Sequence, residues 1–143
     1  MSSVLICRDA IEDSVLGNLA LARAIGRNGN AVSVIFTGAA LKALDNGTFT
    51  WSENFKSRDA QAGVIAAAEQ ADLPLGHREL DNRWSDVRAL VETMSGEWGI
   101  RLIACPLWSG LLELDERLAY LERIDENKLV DLLQNADTVI GGY

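Results

Sequence analysis

Two thiols, Cys7 and Cys105, are the residues in this chain best suited to covalent chemistry. Each closes an apolar run: Val4-Leu5-Ile6-Cys7 and Ile100-Arg101-Leu102-Ile103-Ala104-Cys105. A thiol becomes a nucleophile as its thiolate, so its surroundings decide its use. Cys105 is followed by Pro106, which suits the first turn of a helix. A thiol at that N-cap faces the free N–H groups of Leu107 and Trp108 and the positive end of the helix dipole. Ser109, about one turn on, is placed to add a hydroxyl donor, and Trp108 would flank the same edge. The competing reading of Cys105 is a small buried hydrophobe, a common fate of free cysteine. For Cys7 a core thiol is the better expectation. Arg8 would lower its pKa, but successive strand residues point to opposite faces. A bridge between the two cysteines requires Cα atoms within about 7 Å, which depends on strand order.

Other site chemistries find little support. Neither cysteine belongs to a CxxC pair, so zinc and thioredoxin-type motifs are not indicated. Asp9, Glu12 and Asp13 stand where a helix begins, and helix-start electrostatics accounts for them without a metal. The lone histidine, His77, has no acid–base partner in its stretch and reads as a surface residue. Gly26 and Gly29 sit at a helix end, so neither a dinucleotide fingerprint nor a P-loop is present. Trp51, Trp84, Trp98 and Trp108 read as core or subunit contacts. The expectation is therefore no metal and no cofactor.

The elements that must hold these thiols can be read from periodicity. Val4–Cys7 is a continuous apolar run, as in a strand buried on both faces. A helix follows from about Ser14 to Arg27, carrying Val15, Leu16, Leu19, Ala22 and Ile25, and Asn28-Gly29-Asn30 stops it. Ala31–Phe36 is a β-branched strand ending at Thr37-Gly38. Strand, helix and strand in so short a span form a βαβ unit, with parallel strands and a right-handed crossover.

Residues 39–45 read as a short helix, and 46–56 as a loop or mobile excursion containing Trp51 and Phe55. Ser57 caps a small-residue helix through Ala71, ended by Pro74 and Gly76. His77–Leu80 reads as a short strand. Trp84, Val87, Val91, Met94 and Trp98 give an amphipathic helix that Gly99 terminates. Residues 100–105 form the next strand. Leu107–Leu121 fits a helix through Leu111, Leu114, Leu118 and Leu121, while 118–124 also reads as a strand. Asp125 caps a helix bearing Leu129, Leu132, Leu133 and Ala136, and Thr138–Ile140 is the last strand. The sum is one α/β domain over 1–143, with an open, mainly parallel sheet of about five strands. Ligands of such sheets gather beyond the carboxyl ends of the strands. Cys7-Arg8-Asp9, Thr37-Gly38 and Cys105-Pro106 all fall at that edge.

Bulk properties narrow the partners. A chain of 143 residues, 48% hydrophobic, can bury a core without disulfide or metal staples. Its 21 acidic and 13 basic residues give a net charge of −8, which repels phosphate backbones and anionic membranes. Neither nucleic acid nor a membrane is an expected partner. The start Met1-Ser2-Ser3 lacks a signal peptide's basic and long apolar regions, and no run could span a bilayer. A reducing, cytoplasmic setting with free thiols is expected.

Several of these pieces together resemble the DsrE/DsrF-like family of sulfur-relay proteins. Val4–Ile25 is similar to its opening strand, polar turn and long alanine-leucine helix. Val32–Gly38 with Ala39–Leu44 is similar to its second strand and following helix. Arg101–Cys105 looks like its strand ending in a cysteine, and Leu129–Tyr143 like its closing helix and strand. The likeness covers both ends and the third strand but not residues 47–85. It implies a three-layer α/β/α fold, a homo-oligomer, and a persulfide-carrying cysteine, to which Cys105 corresponds by position. Sulfur donor and acceptor proteins would be its partners.

Two functional readings follow. In the first, Cys105 carries sulfane sulfur as a persulfide, supported by Leu107, Trp108, Ser109, Cys7, Thr37 and Gly38. In the second, the chain is a non-enzymatic binding or assembly subunit whose cysteines fill space. A nucleotide-binding protein of the universal-stress type would need a glycine-rich phosphate loop near the fourth strand, which is missing.

Overall fold

Apolar, β-branched runs separated by amphipathic helices bury most surface when the strands lie side by side and the helices cover them. The computed structural model describes residues 1–74, 87–95, 99–114 and 117–141 and shows that arrangement. The strands are β1 (Ser2–Cys7), β2 (Ala31–Phe36), β3 (Ile100–Ala104), β4 (Glu122–Arg123) and β5 (Thr138–Gly141). They form one sheet in the order β4-β3-β2-β1-β5, and every pairing is parallel. Six α-helices lie among the described residues: α1 (Glu12–Arg27), α2 (Gly38–Asn46), α3 (Arg58–Gln70), α4 (Val87–Met94), α5 (Pro106–Leu111) and α6 (Glu126–Asn135).

The register Cys7↔Phe36↔Ala104 aligns the ends of the three central strands. Alternation along them divides the core into two faces. Leu5, Cys7, Val34, Phe36, Leu102 and Ala104 belong to a cluster with Val15 and Leu19 of α1, Leu41 of α2 and Val91 of α4. Val4, Ile35, Ile103 and Cys105 form the other cluster, against Leu129, Leu132, Leu133 and Ala136. Connections from β1 through β4 step in one direction across the sheet, whereas the return to β5 reverses it. That reversal puts α6 on the opposite face, which makes three layers.

Helix ends follow local chemistry. α1 starts at Glu12, two residues before the apolar pattern suggests, with Glu12 and Asp13 in its first turn. It ends before Gly29, whose φ of 82° is a left-handed conformation open to glycine. Ser57 accepts from the N–H of Ala60 at 3.1 Å, and Asp125 from that of Lys128 at 2.8 Å.

Residues 46–56 are pinned, where a mobile excursion was the alternative expectation. The N–H of Glu12 donates to the Thr50 carbonyl at 2.7 Å, and that of Thr50 to the Ala10 carbonyl at 3.1 Å. Asp13 accepts from the Ser52 N–H at 2.9 Å and from its hydroxyl at 2.8 Å. A 3-10 turn at Glu53–Phe55 follows. The leucine spacing over 107–121 does not mark one helix. α5 stops at Leu111, and Glu113 and Leu118 take positive φ values of 49° and 55°, which no helix tolerates. Leu114 and Leu121 are buried all the same, brought inward by turns. The strand reading of 118–124 shrinks to Glu122–Arg123. The strand expected at 77–80, together with His77, Gly76, Trp84 and Trp98, lies outside the described residues. Among the described residues, no helix is long and apolar enough to cross a membrane.

Candidate functional site: the carboxyl rim of the sheet

Three strand ends are knitted together at this rim by main-chain bonds. Thr37 N–H donates to the Cys7 carbonyl at 3.0 Å, Ala40 N–H to the Arg8 carbonyl at 3.1 Å, and Cys105 N–H to the Phe36 carbonyl at 3.0 Å. Gly38 has a φ of 55°, and a Cβ there would sit 3.5 Å from the Arg8 carbonyl oxygen. Thr37 and Gly38 therefore serve the close joining of β1 to α2 by their backbones. The structure does bring Cys7, Thr37, Gly38 and Cys105 to one edge.

It does not bring the thiols together. Cys7 and Cys105 flank β2 and belong to the clusters on opposite faces. Two strand spacings separate their Cα atoms by roughly 9–10 Å. That exceeds the reach of a disulfide, and both cysteines are free.

Cys7 is 2% exposed. Burial, followed by the nearby Asp9 carboxylate, pushes its thiol up to about 12. Proximity to Arg8 does not offset this, because Arg8 is an exposed residue that leans toward Asp9, with Nε 3.9 Å from Oδ2. Cys7 is a neutral core thiol at physiological pH.

β3 ends at Ala104, and Cys105 follows it as the N-cap of α5, with Pro106 in the first turn. Its side chain makes no capping hydrogen bond. The hydroxyl of Ser109 is not a donor to the thiol either: it donates to the Cys105 carbonyl at 2.8 Å, as does the Ser109 N–H. That bond closes the first turn of α5 and leaves the sulfur to its apolar neighbours. Cys105 is 9% exposed in the cluster of Val4, Ile35 and Ile103, against which Trp108, Ile124 and Leu129 pack. Trp108 is half-buried and touches both core clusters. Leu107 and Leu111, one turn apart on α5, are 58% and 64% exposed, so an apolar ridge stands beside the cysteine.

Strand order adds a feature that sequence reasoning missed. The chain's direction across the sheet reverses between β1 and β5. In open α/β sheets the ligand crevice opens at such a reversal. Here the reversal itself falls beside Arg8 and Asp9, two strands from Cys105. Grooves of about 310 and 230 Å³ lie elsewhere. The first is lined by Arg101, Lys128 and Asp131 between α6 and β3, the second by Leu16, Phe55 and Val64 between α1 and α3. Among the described residues, no group of three or more His, Cys, Asp or Glu comes together to hold a metal.

Compared with known proteins, the chain matches no protein-family model and no curated protein.

Proposed function

We propose that the protein is a thiol carrier of the sulfur-relay type, with Cys105 as the residue that holds sulfane sulfur. The observation that carries this reading is the contrast between the two thiols of the rim. Both thiols are buried, but Cys7 is 2% exposed and Cys105 is 9% exposed at the point where β3 hands over to α5. The resemblance to DsrE/DsrF-like proteins agrees with that choice of cysteine. The Cys105 thiolate attacks the terminal sulfur of a donor persulfide. A new S–S bond forms on Cys105 as the donor's S–S bond breaks, and the donor leaves as its thiolate. No net oxidation occurs. An acceptor thiolate then takes the terminal sulfur and regenerates Cys105. The donor and acceptor are proteins, the ridge of Leu107 and Leu111 is where they approach, and a reducing cytoplasm keeps the thiol available. With a charge of −8, nucleic acid and anionic membrane are not among the partners.

Incubation with a polysulfide donor, followed by mass spectrometry of the intact protein and its peptides, tests this. The expected result is one added sulfur atom on the Cys105 peptide, lost in Cys105→Ser. A protein that gains no sulfur, or gains it on Cys7, overturns the reading.

A second reading is a non-enzymatic binding or assembly subunit. The position of the strand reversal favours it, because the reversal lies beside Arg8 and Asp9, two strands from Cys105. Under that reading, Cys105→Ser leaves binding and assembly unchanged.

A further inference from the structure

Polar side chains gather on the α6 side of the sheet, where apolar packing normally covers parallel strands. Ser33 of β2 and Arg101 of β3 are register partners. Alternation puts both on this side, together with Ile35, Ile103 and Cys105. Within β3 only Arg101 is exposed. Lys128, Asp131, Leu132 and Asn135 recur at helical spacing along α6 and form the facing wall of the groove of about 310 Å³. That volume stands at the small end of ligand sites, which begin at about 300 Å³.

Three side chains here have donors that the fold itself does not use. Arg101 is braced from one side: its Nε and Nη2 donate to Oε2 of Glu122 at 2.9 and 2.7 Å. Glu122 borders the neighbouring groove, with Tyr120 and Leu121, and not the one that Arg101 shares with Lys128. The N–H groups of Nη1 take no part in that pairing. Lys128 stands in the first turn of α6, where a cation opposes the helix dipole. Among the described residues it has no ion-pair partner. Ser33 is 6% exposed, and its hydroxyl has no hydrogen-bond partner among the described residues. Buried hydroxyls ordinarily find one.

We infer that this groove binds a small monocarboxylate with a short aliphatic body. The carboxylate lies between Arg101 and Lys128 and accepts from Nη1 and from the ammonium group. The Ser33 hydroxyl donates to it from the floor. Charge-assisted bonds of this kind are the strong ones, and a guanidinium held by Glu122 is oriented in advance. Ile124 and Leu132 supply the apolar surface for the rest of the molecule. Asp131 adds one negative charge to the lining, which repels a second charge on the ligand and so disfavours phosphate. The inference does not depend on whether Cys105 carries sulfur.

Calorimetric titration of the full chain with 4-methylpentanoate tests it, with the corresponding amide and inorganic phosphate as controls. Saturable binding of the acid is expected, with the amide and phosphate at least tenfold weaker. Arg101→Gln and Lys128→Gln should each weaken the acid at least tenfold, and Ser33→Ala less. Lys128 is exposed, so its variant keeps the test valid if Arg101→Gln disturbs the fold. Leucine and its 2-oxo acid, titrated alongside, separate an amino acid from an oxo acid, and saturable binding of either supports the inference. Absence of saturable binding by all three acids overturns it. So does an amide or phosphate that binds as well as the acid, or wild-type affinity in Lys128→Gln.

Discussion

Cys7 and Cys105 reach the same rim of one sheet, on either side of β2, and face opposite layers of the protein. The register produces this directly. Cys7 aligns with Ala104, so Cys105 is one residue further along and alternation turns it to the other face. One thiol belongs to the cluster under α1, α2 and α4, while the other belongs to the cluster packed by Trp108 of α5 and Leu129, Leu132 and Leu133 of α6. Opposite faces for two chemically identical groups follow from a one-residue offset.

The first consequence concerns alkaline pH. The Cys7 thiol is raised from an ordinary 9.0 to about 12 in the folded protein. The folded state therefore holds this proton more tightly than the unfolded chain does. Its contribution to stability is complete below pH 9.0 and is lost as pH rises through the interval to about 12. Cys7→Ala removes the titrating group and costs on the order of 1 kcal/mol through the small cavity left behind. Urea unfolding between pH 8 and 11 should show wild-type stability falling more steeply above pH 9 than that of Cys7→Ala. Parallel curves would show that Cys7 is not buried as described.

Asp13 holds residues 46–56 against the start of α1 through the Ser52 N–H and hydroxyl. Charge-assisted bonds of this kind contribute roughly 1.5–3 kcal/mol when well enclosed, and less at half-exposed sites. Asp13→Ala is expected to lower stability by about 1 kcal/mol and to make the segment around Trp51 a new site of limited proteolysis. Ser52→Ala should give a smaller effect in the same direction, because the Ser52 N–H bond remains. Unchanged proteolysis in Asp13→Ala would mean that the main-chain bonds of Thr50 to Ala10 and Glu12 hold the segment without help.

Much of the architecture is legible in the residues themselves. The Val4–Cys7 and Ala31–Phe36 runs sit on either side of a helix with buried positions at regular spacing, and that pattern leaves little choice but parallel strands. Caps at Ser57 and Asp125 are equally readable, since a side-chain oxygen before an apolar helix has one obvious use. The leucines between 107 and 121 misled because burial alone imitates helical spacing. Turns with positive φ at Glu113 and Leu118 deliver Leu114 and Leu121 to the core by another route.

The candidate site was legible only in part. That Cys105 follows a strand and precedes a helix can be read from Ala104 and Pro106. Which face it takes cannot, because that depends on register with a strand far away in the chain. The use of the Ser109 hydroxyl was hidden for a related reason. A serine four residues after an N-cap can bond the side chain or the carbonyl of the cap, and only geometry decides. The strand reversal beside Arg8 and Asp9 was hidden because strand order is set by long-range packing.

The central claim is that Cys105 is the thiol of this protein that meets other molecules, and alkylation of the native protein tests it most directly. With iodoacetamide at neutral pH and no denaturant, the Cys105 peptide is expected to be modified at least tenfold faster than the Cys7 peptide. Cys7 should react only when the chain unfolds. If both peptides are labelled at the slow rate of global unfolding, Cys105 is a packing residue and the carrier reading is wrong.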